Sequence, residues 1–476
     1  MSRVLYRDTY GISPNVTRKE AILDSQPPSG GLYVPAHVPK FESGEIESLR
    51  GAELPEIGYS VMSKFLKDEI PDDYIHEMCE DALNFPIPIE HVYGRTFTER
   101  QGMGPTGAFK DTAARMLARE ASYYIQHGDD TESWLLVATS GDTGAAIRGG
   151  FHGVPGINVI IAYPKNNVTD TQAALMDRYG GNVISLACDG TFGDLQEMFM
   201  TAFGDSDLKK FKPWSANSIG IGRAQPQSIH AVLPLTDENV METGKMPYFV
   251  VPSGNFGHTY AFLLAREMGA FDTKVYVANN ENRVFEWFMK TGKYEVKDTI
   301  STLSNAMDVD DPSNVRRIFD MLGGRLVRDK KYVTAAGKEK TVCRIDSMPY
   351  LKAMRNAMYS GYVTDEETKE TIAELYNEHG KVFEPHGAVG MTCAKRARIF
   401  LGDDETIVSM ATAHEAKFPE VLDELGIPYE TPEYMEGILD KPSYAIDFSN
   451  RYEDFKDFLL SGEAERVISH QKANSA

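Results

Sequence analysis

The chain alternates short apolar runs with amphipathic, helix-like stretches over most of its length. Six apolar runs of four to six residues are rich in β-branched side chains and end in polar or glycine-containing loops. These runs are 134–137, 157–162, 182–187, 248–251, 274–278 and 406–410. Helical patterns follow several of them, for example over 193–203 and towards Met268. The alternation predicts an α/β fold built on parallel sheets.

The same pattern divides the chain into four parts. Residues 30–35 indicate a turn that enters a short extended piece, and residues 71–83 indicate a helix. Residues 1–95 are predicted to form an N-terminal α/β domain, and residues 96–245 a first α/β region. Residues 246–440 are predicted to form a large α/β domain with an excursion near 290–360, and residues 441–476 a C-terminal tail.

Charge and composition narrow the classes of function. The formal net charge is −21, which argues against nucleic-acid or membrane partners because both need basic surface. Four cysteines without Cys-x-x-Cys spacing, no apolar run of bilayer length and no signal-like start predict a cytoplasmic protein without a metal site. The segment 402–440 has eleven acidic residues and one lysine, and we expect it to be a solvated surface away from any ligand.

A glycine-bounded turn, 104–111, ends in a lysine at the start of the helical pattern 111–127. A helix N-terminus disfavours a cation, so this position should lower the pKa of Lys110 and favour a nucleophilic amine. The alternative is an ordinary surface lysine.

Two glycine loops follow predicted strands, where α/β folds bind ligands. Thr139, Ser140, Gly141, Asp142 and Thr143 could hold an anion with backbone N–H groups, or could simply cap a helix.

The second loop, residues 253–257, suits a single phosphate. It lacks the full Gly-x-Gly-x-x-Gly fingerprint, so a dinucleotide site is the weaker interpretation.

Two further loops are polar. Residues 411–415 place a hydroxyl and an imidazole after the sixth apolar run, which indicates either a ligand site or a capped helix start. Asn217, Ser218 and Arg223 lie in a locally basic stretch, 207–230, which indicates either an anionic ligand or a plain basic surface.

Five segments, in order, resemble the threonine synthase family. They are 30–35 (Gly-Gly-Leu-Tyr-Val-Pro), 104–111 (Gly-Pro-Thr-Gly-Ala-Phe-Lys-Asp), 138–145 (Ala-Thr-Ser-Gly-Asp-Thr-Gly-Ala), 306–314 (Ala-Met-Asp-Val-Asp-Asp-Pro-Ser-Asn) and 412–418 (Thr-Ala-His-Glu-Ala-Lys-Phe). The resemblance implies the fold of the fold-type II pyridoxal-phosphate enzymes, with two parallel-sheet α/β domains and an N-terminal domain.

The resemblance also assigns roles position by position. Lys110 would form the Schiff base with pyridoxal 5'-phosphate, and Thr412 would contact its pyridine nitrogen. The cofactor phosphate would be held by Ser253, Gly254, Asn255, Phe256 and Gly257. The substrate carboxylate would be bound by Thr139, Ser140, Gly141, Asp142 and Thr143, and the substrate phosphate by Asn217, Ser218 and Arg223.

The chain departs from the family pattern at six positions. Residues 220–222 are Gly-Ile-Gly where the family usually has Asn-Trp-Ala, which could reshape the substrate phosphate pocket. His258 replaces Asn, and Gly107 replaces a frequent Leu. Asp142 stands where related enzymes often have Asn against the cofactor's phenolic oxygen, so its carboxylate must be protonated or turned away.

The implied reaction converts O-phospho-L-homoserine and water to L-threonine and phosphate in a monomer or homodimer. One alternative is a related lyase or dehydratase that eliminates phosphate without making threonine. A nucleotide-binding oxidoreductase that uses the loop 253–257 is an alternative of a different class.

Overall fold

A computed structural model describes residues 3–128, 132–139, 141–166, 168–324, 326–333, 339–345 and 348–475, with backbone alone for 326–333, 339–345, 348–349 and 474–475. The strands are β1 (Tyr6–Asp8), β2 (Tyr33–Pro35), β3 (Ile89–Tyr93), β4 (Thr96–Arg100), β5 (Ser133–Ala138), β6 (Ile157–Pro164), β7 (Val183–Cys188), β8 (Pro213–Trp214), β9 (Tyr248–Pro252), β10 (Val275–Asn279), β11 (Leu326–Val333), β12 (Glu339–Ile345), β13 (Met358–Tyr362), β14 (Ile407–Ala411) and β15 (Ile446–Phe448).

The helices begin largely at polar caps. Thr17, Thr169, Thr191 and Thr364 each accept from a backbone N–H three residues on and complete a capping box. The helices are α1 (Arg18–Leu23), α2 (Glu45–Ser48), α3 (Leu54–Leu66), α4 (Asp72–Ala82), α5 (Lys110–Gln126), α6 (Asp142–Phe151), α7 (Asp170–Asp177), α8 (Phe192–Gly204), α9 (Ile221–Ala224), α10 (Ile229–Thr236), α11 (Gly257–Met268), α12 (Val284–Thr291), α13 (Val315–Met321), α14 (Met348–Ala357), α15 (Asp365–His379), α16 (Pro385–Leu401), α17 (Pro419–Leu425), α18 (Tyr452–Leu460) and α19 (Glu463–Ser475). Short 3₁₀ helices span Gln101–Met103, Ser206–Phe211, Gln225–Ser228, Asn305–Met307, Glu415–Lys417 and Ile438–Asp440.

The smaller of the two main sheets has the order β15-β7-β6-β5-β8, with every pair parallel. All residues of β5, β6 and β7 are buried, because helices cover both faces of the sheet. Phe199 of α8 and Phe455 of α18 pack together on one face, with ring centroids 5.1 Å apart.

The larger sheet has the order β13-β10-β9-β14-β4-β3. Its strands are parallel except for the antiparallel β3–β4 pair at one edge. Helices α11 and α16 pack on this sheet, and the segment that carries Gly254 leaves the carboxyl end of β9. The carboxyl ends of parallel strands therefore present their loops along one edge, where α/β proteins bind ligands.

The N-terminal part pairs β1 with β2 and packs α3 against α4. Arg18 of α1 is fully buried and forms an ion pair of 2.6 Å with Glu120 of α5, so α1 is fixed to the helix that begins at Lys110.

The segment 426–445, here called the strap, joins the two sheets late in the chain. It leaves α17 beside the larger sheet and ends at β15 of the smaller one. On the way it contacts the end of α7. Tyr444 N donates to Asp177 O at 2.8 Å, and Arg178 Nη1 donates to Lys441 O at 2.7 Å. The strap thus passes from one domain to the other.

The predicted α/β architecture with parallel sheets is confirmed, and the six apolar runs are the strands β5, β6, β7, β9, β10 and β14. Residues 96–100 lie in the larger sheet, whereas 446–448 and the two last helices lie with the smaller sheet. The chain therefore crosses between domains more than once. In the described part of the chain, no helix is both long and apolar enough to span a membrane.

Candidate active site

Lys110 is the first residue of α5, and its turn is hydrogen-bonded to the loop after β14. Phe109 N donates to Thr412 O at 2.9 Å, and His414 N donates to Gly107 O at 3.0 Å. The structure therefore brings together the predicted lysine turn and the predicted Thr412 loop, although three hundred residues separate them.

The turn before Lys110 is held by a buried carboxylate. Asp111 accepts from Thr106 N at 2.9 Å and from Thr106 Oγ1 at 2.5 Å. Burial raises the pKa of Asp111, although these hydrogen bonds act in the opposite direction. The Asp111–Thr106 contacts thus fix the backbone that presents the lysine.

An ion pair lies beside Lys110. Lys417 Nζ is 2.6 Å from Asp142 Oδ1, and Lys110 Nζ is 3.9 Å from Asp142 Oδ2. The side chains of Lys417 and Asp142 are only 1% and 6% exposed. Burial would raise the pKa of Asp142, but Lys417 and then Lys110 outweigh it and hold that pKa below its ordinary value. Asp142 is therefore ionised, and its carboxylate forms an ion pair with Lys417.

The pKa of Lys110 is lowered, in the predicted direction. Burial is the largest cause, and the neighbouring cations Lys417 and Arg223 add to it, while Asp142 opposes it. The prediction attributed this shift to the helix dipole, whereas desolvation and two nearby cations dominate. Lys110 is thus better able to act as a neutral amine than a surface lysine.

The loop after β5 is largely occupied with its own helix. Thr139 Oγ1 accepts from Gly141 N at 3.1 Å and from Gly144 N at 3.0 Å, so Thr139 caps α6. Ser140 lies outside the described residues. Asp142 begins α6, and Thr143 is half-buried beside it.

The loop after β9 offers backbone donors at the start of α11. Ser253 N donates to Ala278 O at 2.9 Å, and Ser253 Oγ donates to Val251 O, so Ser253 is engaged within the protein. Among the described residues, no acceptor is found for the N–H groups of the next four positions. These positions are Gly254, Asn255, Phe256 and Gly257. Such a run of N–H groups at a helix N-terminus suits a phosphate.

Gly254 also allows a close approach by another segment. A Cβ at this position would lie 2.7 Å from Ala306 O and 2.8 Å from Met307 Cα. The predicted family segment 306–314 therefore covers the loop, and a side chain at position 254 would displace its backbone.

Arg223 is the buried cation of the predicted basic stretch. It is 3% exposed, its Nη1 donates to Ala216 O at 2.8 Å, and its Nε has no partner among the described residues. Burial lowers its pKa to about 10, so the guanidinium stays charged at neutral pH. Lys209, Lys210 and Lys212 are exposed, so Arg223 alone of these four is sequestered.

Asn255 and Arg317 tie the 217–223 loop to the loop after β9. Asn255 Nδ2 donates to Ser218 Oγ at 2.5 Å, and its Oδ1 accepts from Ser313 N at 2.6 Å. The guanidinium of Arg317 is fully buried and donates to the carbonyls of Ser218 and Ile219 and, at 3.0 Å, to Tyr33 O. One arginine therefore joins the N-terminal domain to the loop.

His258, a departure from the family pattern, lies behind the loop. Its Nδ1 is 3.1 Å from Gln227 Oε1, and Gln227 in turn donates to Arg223 O at 2.5 Å. Burial, with nearby His230, holds the pKa of His258 well below its ordinary value. The imidazole of His258 is therefore neutral, and it supports the position of Arg223 through Gln227.

Sequence reasoning missed Lys417, Tyr434 and Arg317. The prediction that the acidic segment 402–440 lies away from the lysine is wrong, since Lys417 pairs with Asp142 and Tyr434 covers Gly107. Lys417 was within a recognised segment, but nothing local to it signalled an ion pair with a residue from a distant loop.

Comparison with known proteins identifies the family. Three family profiles match in order: threonine synthase N terminus over 5–83, pyridoxal-phosphate dependent enzyme over 90–339, and threonine synthase C-terminal over 387–459. The threonine synthase of Pseudomonas aeruginosa is 32% identical, with 89% of this chain and 90% of that protein covered. That of Escherichia coli is also 32% identical, with 90% and 92% covered.

Solved structures agree with the sequence matches. A pyridoxal-phosphate-bound threonine synthase from Brucella melitensis superimposes with a TM-score of 0.86 at 27% identity, covering 98% of this chain and 100% of that one. The Escherichia coli enzyme gives 0.80 at 29% identity, covering 96% and 99%. These matches also exclude the alternative prediction of a nucleotide-binding oxidoreductase. The chain therefore belongs to the threonine synthase family of pyridoxal-phosphate-dependent enzymes.

Proposed function

We propose that this protein converts O-phospho-L-homoserine and water to L-threonine and phosphate. The observation that carries the proposal is the juxtaposition of Lys110 with the buried Arg223, which has no carboxylate partner among the described residues. An amine close to a buried guanidinium that has no ion-pair partner among the described residues suits a substrate that has both an amino group and a phosphate.

The residues present fit pyridoxal 5'-phosphate. Lys110 would hold its aldehyde carbon, the N–H groups of Gly254–Gly257 its phosphate, and Thr412 its pyridine nitrogen. Two features support this fit. The run of N–H groups has no acceptor among the described residues, and the largely buried side chain of Lys110 is still 17% accessible. When bound, the cofactor supplies an electron sink that acidifies the substrate's α- and β-hydrogens.

Lys110 is the group that would move protons. Once the substrate amine replaces it, its free amine can take the proton from the α-carbon and return a proton later. The lowered pKa favours the neutral form that this step needs. Lys417 and Arg223, which help to lower that pKa, would keep the amine neutral until it takes the proton and would favour the later return of that proton.

Arg223 would bind the phosphate that leaves the γ-carbon. Charge-assisted hydrogen bonds from a buried guanidinium strengthen as negative charge builds on the departing oxygen. Asn217 and Ser218, from the same loop, would donate to the remaining phosphate oxygens, and water would add at the β-carbon after the phosphate has left. His258 and Gln227 would keep Arg223 in place.

The substrate carboxylate would be bound at the start of α6, by backbone N–H groups near Gly141, Asp142 and Thr143. The side chain of Asp142 would not repel it, because its charge is already neutralised by Lys417 at 2.6 Å. Thr139 is occupied as a helix cap and would act only by holding this loop.

The test is a product assay with O-phospho-L-homoserine. We expect equal amounts of L-threonine and phosphate, and a near-visible absorbance band that is lost in Lys110→Ala. The rate of Arg223→Ala should be at least a hundredfold lower, because removal of one oxyanion-stabilising donor typically lowers kcat by about 10²–10³. Arg451→Ala removes the same charge from a side chain that is 72% exposed and serves as the control. Full activity of Arg223→Ala would contradict the phosphate role.

The related lyase is the second candidate, since residues 220–222 depart from the family pattern in the loop that contains Arg223. It would release phosphate with 2-oxobutanoate and ammonia in place of threonine, so the same assay separates the two. A cytoplasmic monomer or homodimer without nucleic-acid partners completes the proposal. The net charge of −21 and the three buried, unpaired cysteines among the described residues support it, and sedimentation velocity and cell fractionation test it.

A further inference from the structure

Tyr434 occupies the middle of the strap that passes from α17 to β15. Its ring packs against the hydrophobic core, and its hydroxyl is buried without a hydrogen-bond partner among the described residues. Buried hydroxyls in folded proteins are nearly always hydrogen-bonded, and the position of this one beside the Lys110 turn makes it a candidate donor to a bound ligand.

Gly107 makes the room for this ring. A Cβ at Gly107 would lie 2.0 Å from Tyr434 Oη and 3.2 Å from Lys417 Cδ, and the φ of Gly107 is +66°. Both the close approach and the backbone conformation exclude an ordinary side chain there. Tyr434 therefore lies directly over the turn that presents Lys110.

The surroundings make the hydroxyl a donor. Burial raises the pKa of Tyr434, and the carboxylates of Asp111, Asp142 and Glu415 raise it further. The phenol stays protonated over the working range of pH. Asp142 is paired with Lys417 and makes no hydrogen bond with Tyr434, so the proton is available to a bound molecule.

We propose that Tyr434 is a substrate-contacting residue, whose ring shields the Lys110 turn from water and whose hydroxyl donates a hydrogen bond to the carboxylate of the bound amino acid. The carboxylate is the acceptor because Tyr434 Oη lies beside Gly107 and Lys417, and Lys417 pairs with Asp142 at the start of α6, where the substrate carboxylate would bind. This inference rests on the proposed amino-acid substrate but not on the identity of the product.

The hydroxyl is tested in the holoenzyme with Tyr434→Phe, by following phosphate release from O-phospho-L-homoserine. Loss of one hydrogen bond made equally in the ground and transition states should raise KM about tenfold and leave kcat within about twofold. Tyr429→Phe, a change of the same kind in the same segment, should alter neither constant. A Tyr434→Phe enzyme with unchanged KM would overturn the contact.

The choice of acceptor is tested by inhibition. Tyr434→Phe should weaken inhibition by L-2-aminobutanoate, which has the carboxylate but no phosphate, about as much as it raises KM. Inhibition by inorganic phosphate should be unchanged. Equal weakening of both would overturn the assignment to the carboxylate. Because phosphate release is measured, failure of the threonine product assay leaves this test intact.

The shielding role is tested without substrate or cofactor. In the apoprotein, the rate at which an amine reagent labels Lys110 is followed against pH by peptide mass mapping. Tyr434→Ala should admit water, so that the labelling midpoint of Lys110 rises, while Tyr434→Phe keeps the ring and the wild-type midpoint. The charged groups around Lys110 in all these variants are Asp111, Asp142, Lys417 and Arg223. An unchanged midpoint in a folded Tyr434→Ala, or in Tyr434→Leu if the alanine variant does not fold, would overturn the shielding role.

Discussion

Replacement of Lys417 by methionine should expose how much the site depends on one ion pair. The pair with Asp142 is 2.6 Å long, and both side chains are almost completely buried. Removing one partner of a buried pair leaves an uncompensated charge and typically costs about 3–5 kcal/mol. Lys110, 3.9 Å from the other carboxylate oxygen, can take over part of the compensation, so we expect a loss of about 3 kcal/mol.

The same replacement should change Lys110. Lys417 repels the protonated form of Lys110, and it also shares the negative charge of Asp142. Without Lys417 both effects reverse, and the pKa of Lys110 should rise. The double variant Lys417→Met with Asp142→Asn removes both charges, and should restore the free energy of unfolding to within about 1 kcal/mol of the wild type. The buried carboxylate is gone, and Lys110, which loses Asp142 as its partner, can become neutral because burial lowers its pKa.

The assay is urea unfolding of the apoprotein followed by tryptophan fluorescence and circular dichroism, with Lys110 labelling against pH on the same samples. The pKa of Asp142 is depressed in the folded state, so the pair stabilises the fold above the ordinary pKa of an aspartate, about 3.9, and this contribution is lost as pH falls below that value. A loss below about 1 kcal/mol in Lys417→Met at neutral pH, with no recovery in the double variant, would refute the reasoning.

Three further predictions concern the loops around the site. Gly254→Ala should raise the dissociation constant for pyridoxal 5'-phosphate at least about tenfold in an absorbance titration, because its Cβ would meet Ala306 O at 2.7 Å. Arg317→Lys keeps the charge but loses the planar fork that holds the Ser218 carbonyl, so KM for O-phospho-L-homoserine should rise while cofactor affinity stays the same. Asn255→Ala breaks the link to Ser218 Oγ and should lower the thermal midpoint of the apoprotein by a few degrees, about 1 kcal/mol.

The central strands were predictable because parallel strands buried on both faces appear as apolar runs. The strand β6, Ile157–Pro164, shows this, since all eight of its residues are buried. Strand β4 was missed although it pairs with a neighbouring strand on both sides, β14 and β3. Its buried residues include Thr96, Thr98 and Glu99, and Glu99 Oε1 lies 2.6 Å from Nδ1 of His230, which belongs to the distant helix α10. A polar residue whose partner lies far away in sequence looks exposed in a local pattern.

The same limit applies to the site. The glycine loops at Gly141 and Gly254 could be found, because a helix start after a strand has a local signature. The contact between Tyr434 and Gly107 has none, since it depends on the course of a loop-rich segment over two domains. The assignment of individual residues to cofactor and substrate atoms stays a prediction until those variants are measured.

The strap has a consequence for biosynthesis. Residues 426–445 follow every strand of the two main sheets except β15, which pairs with β7. A nascent chain that has already formed β5, β6 and β14 still lacks Tyr434 over the Lys110 turn and one edge strand of the smaller sheet. The lysine therefore stays open to water, and to any aldehyde in the cell, until residues 426–448 have emerged and docked. Premature truncation near residue 425 would yield a product with most of its core and an unprotected amine, which quality control by proteolysis should remove.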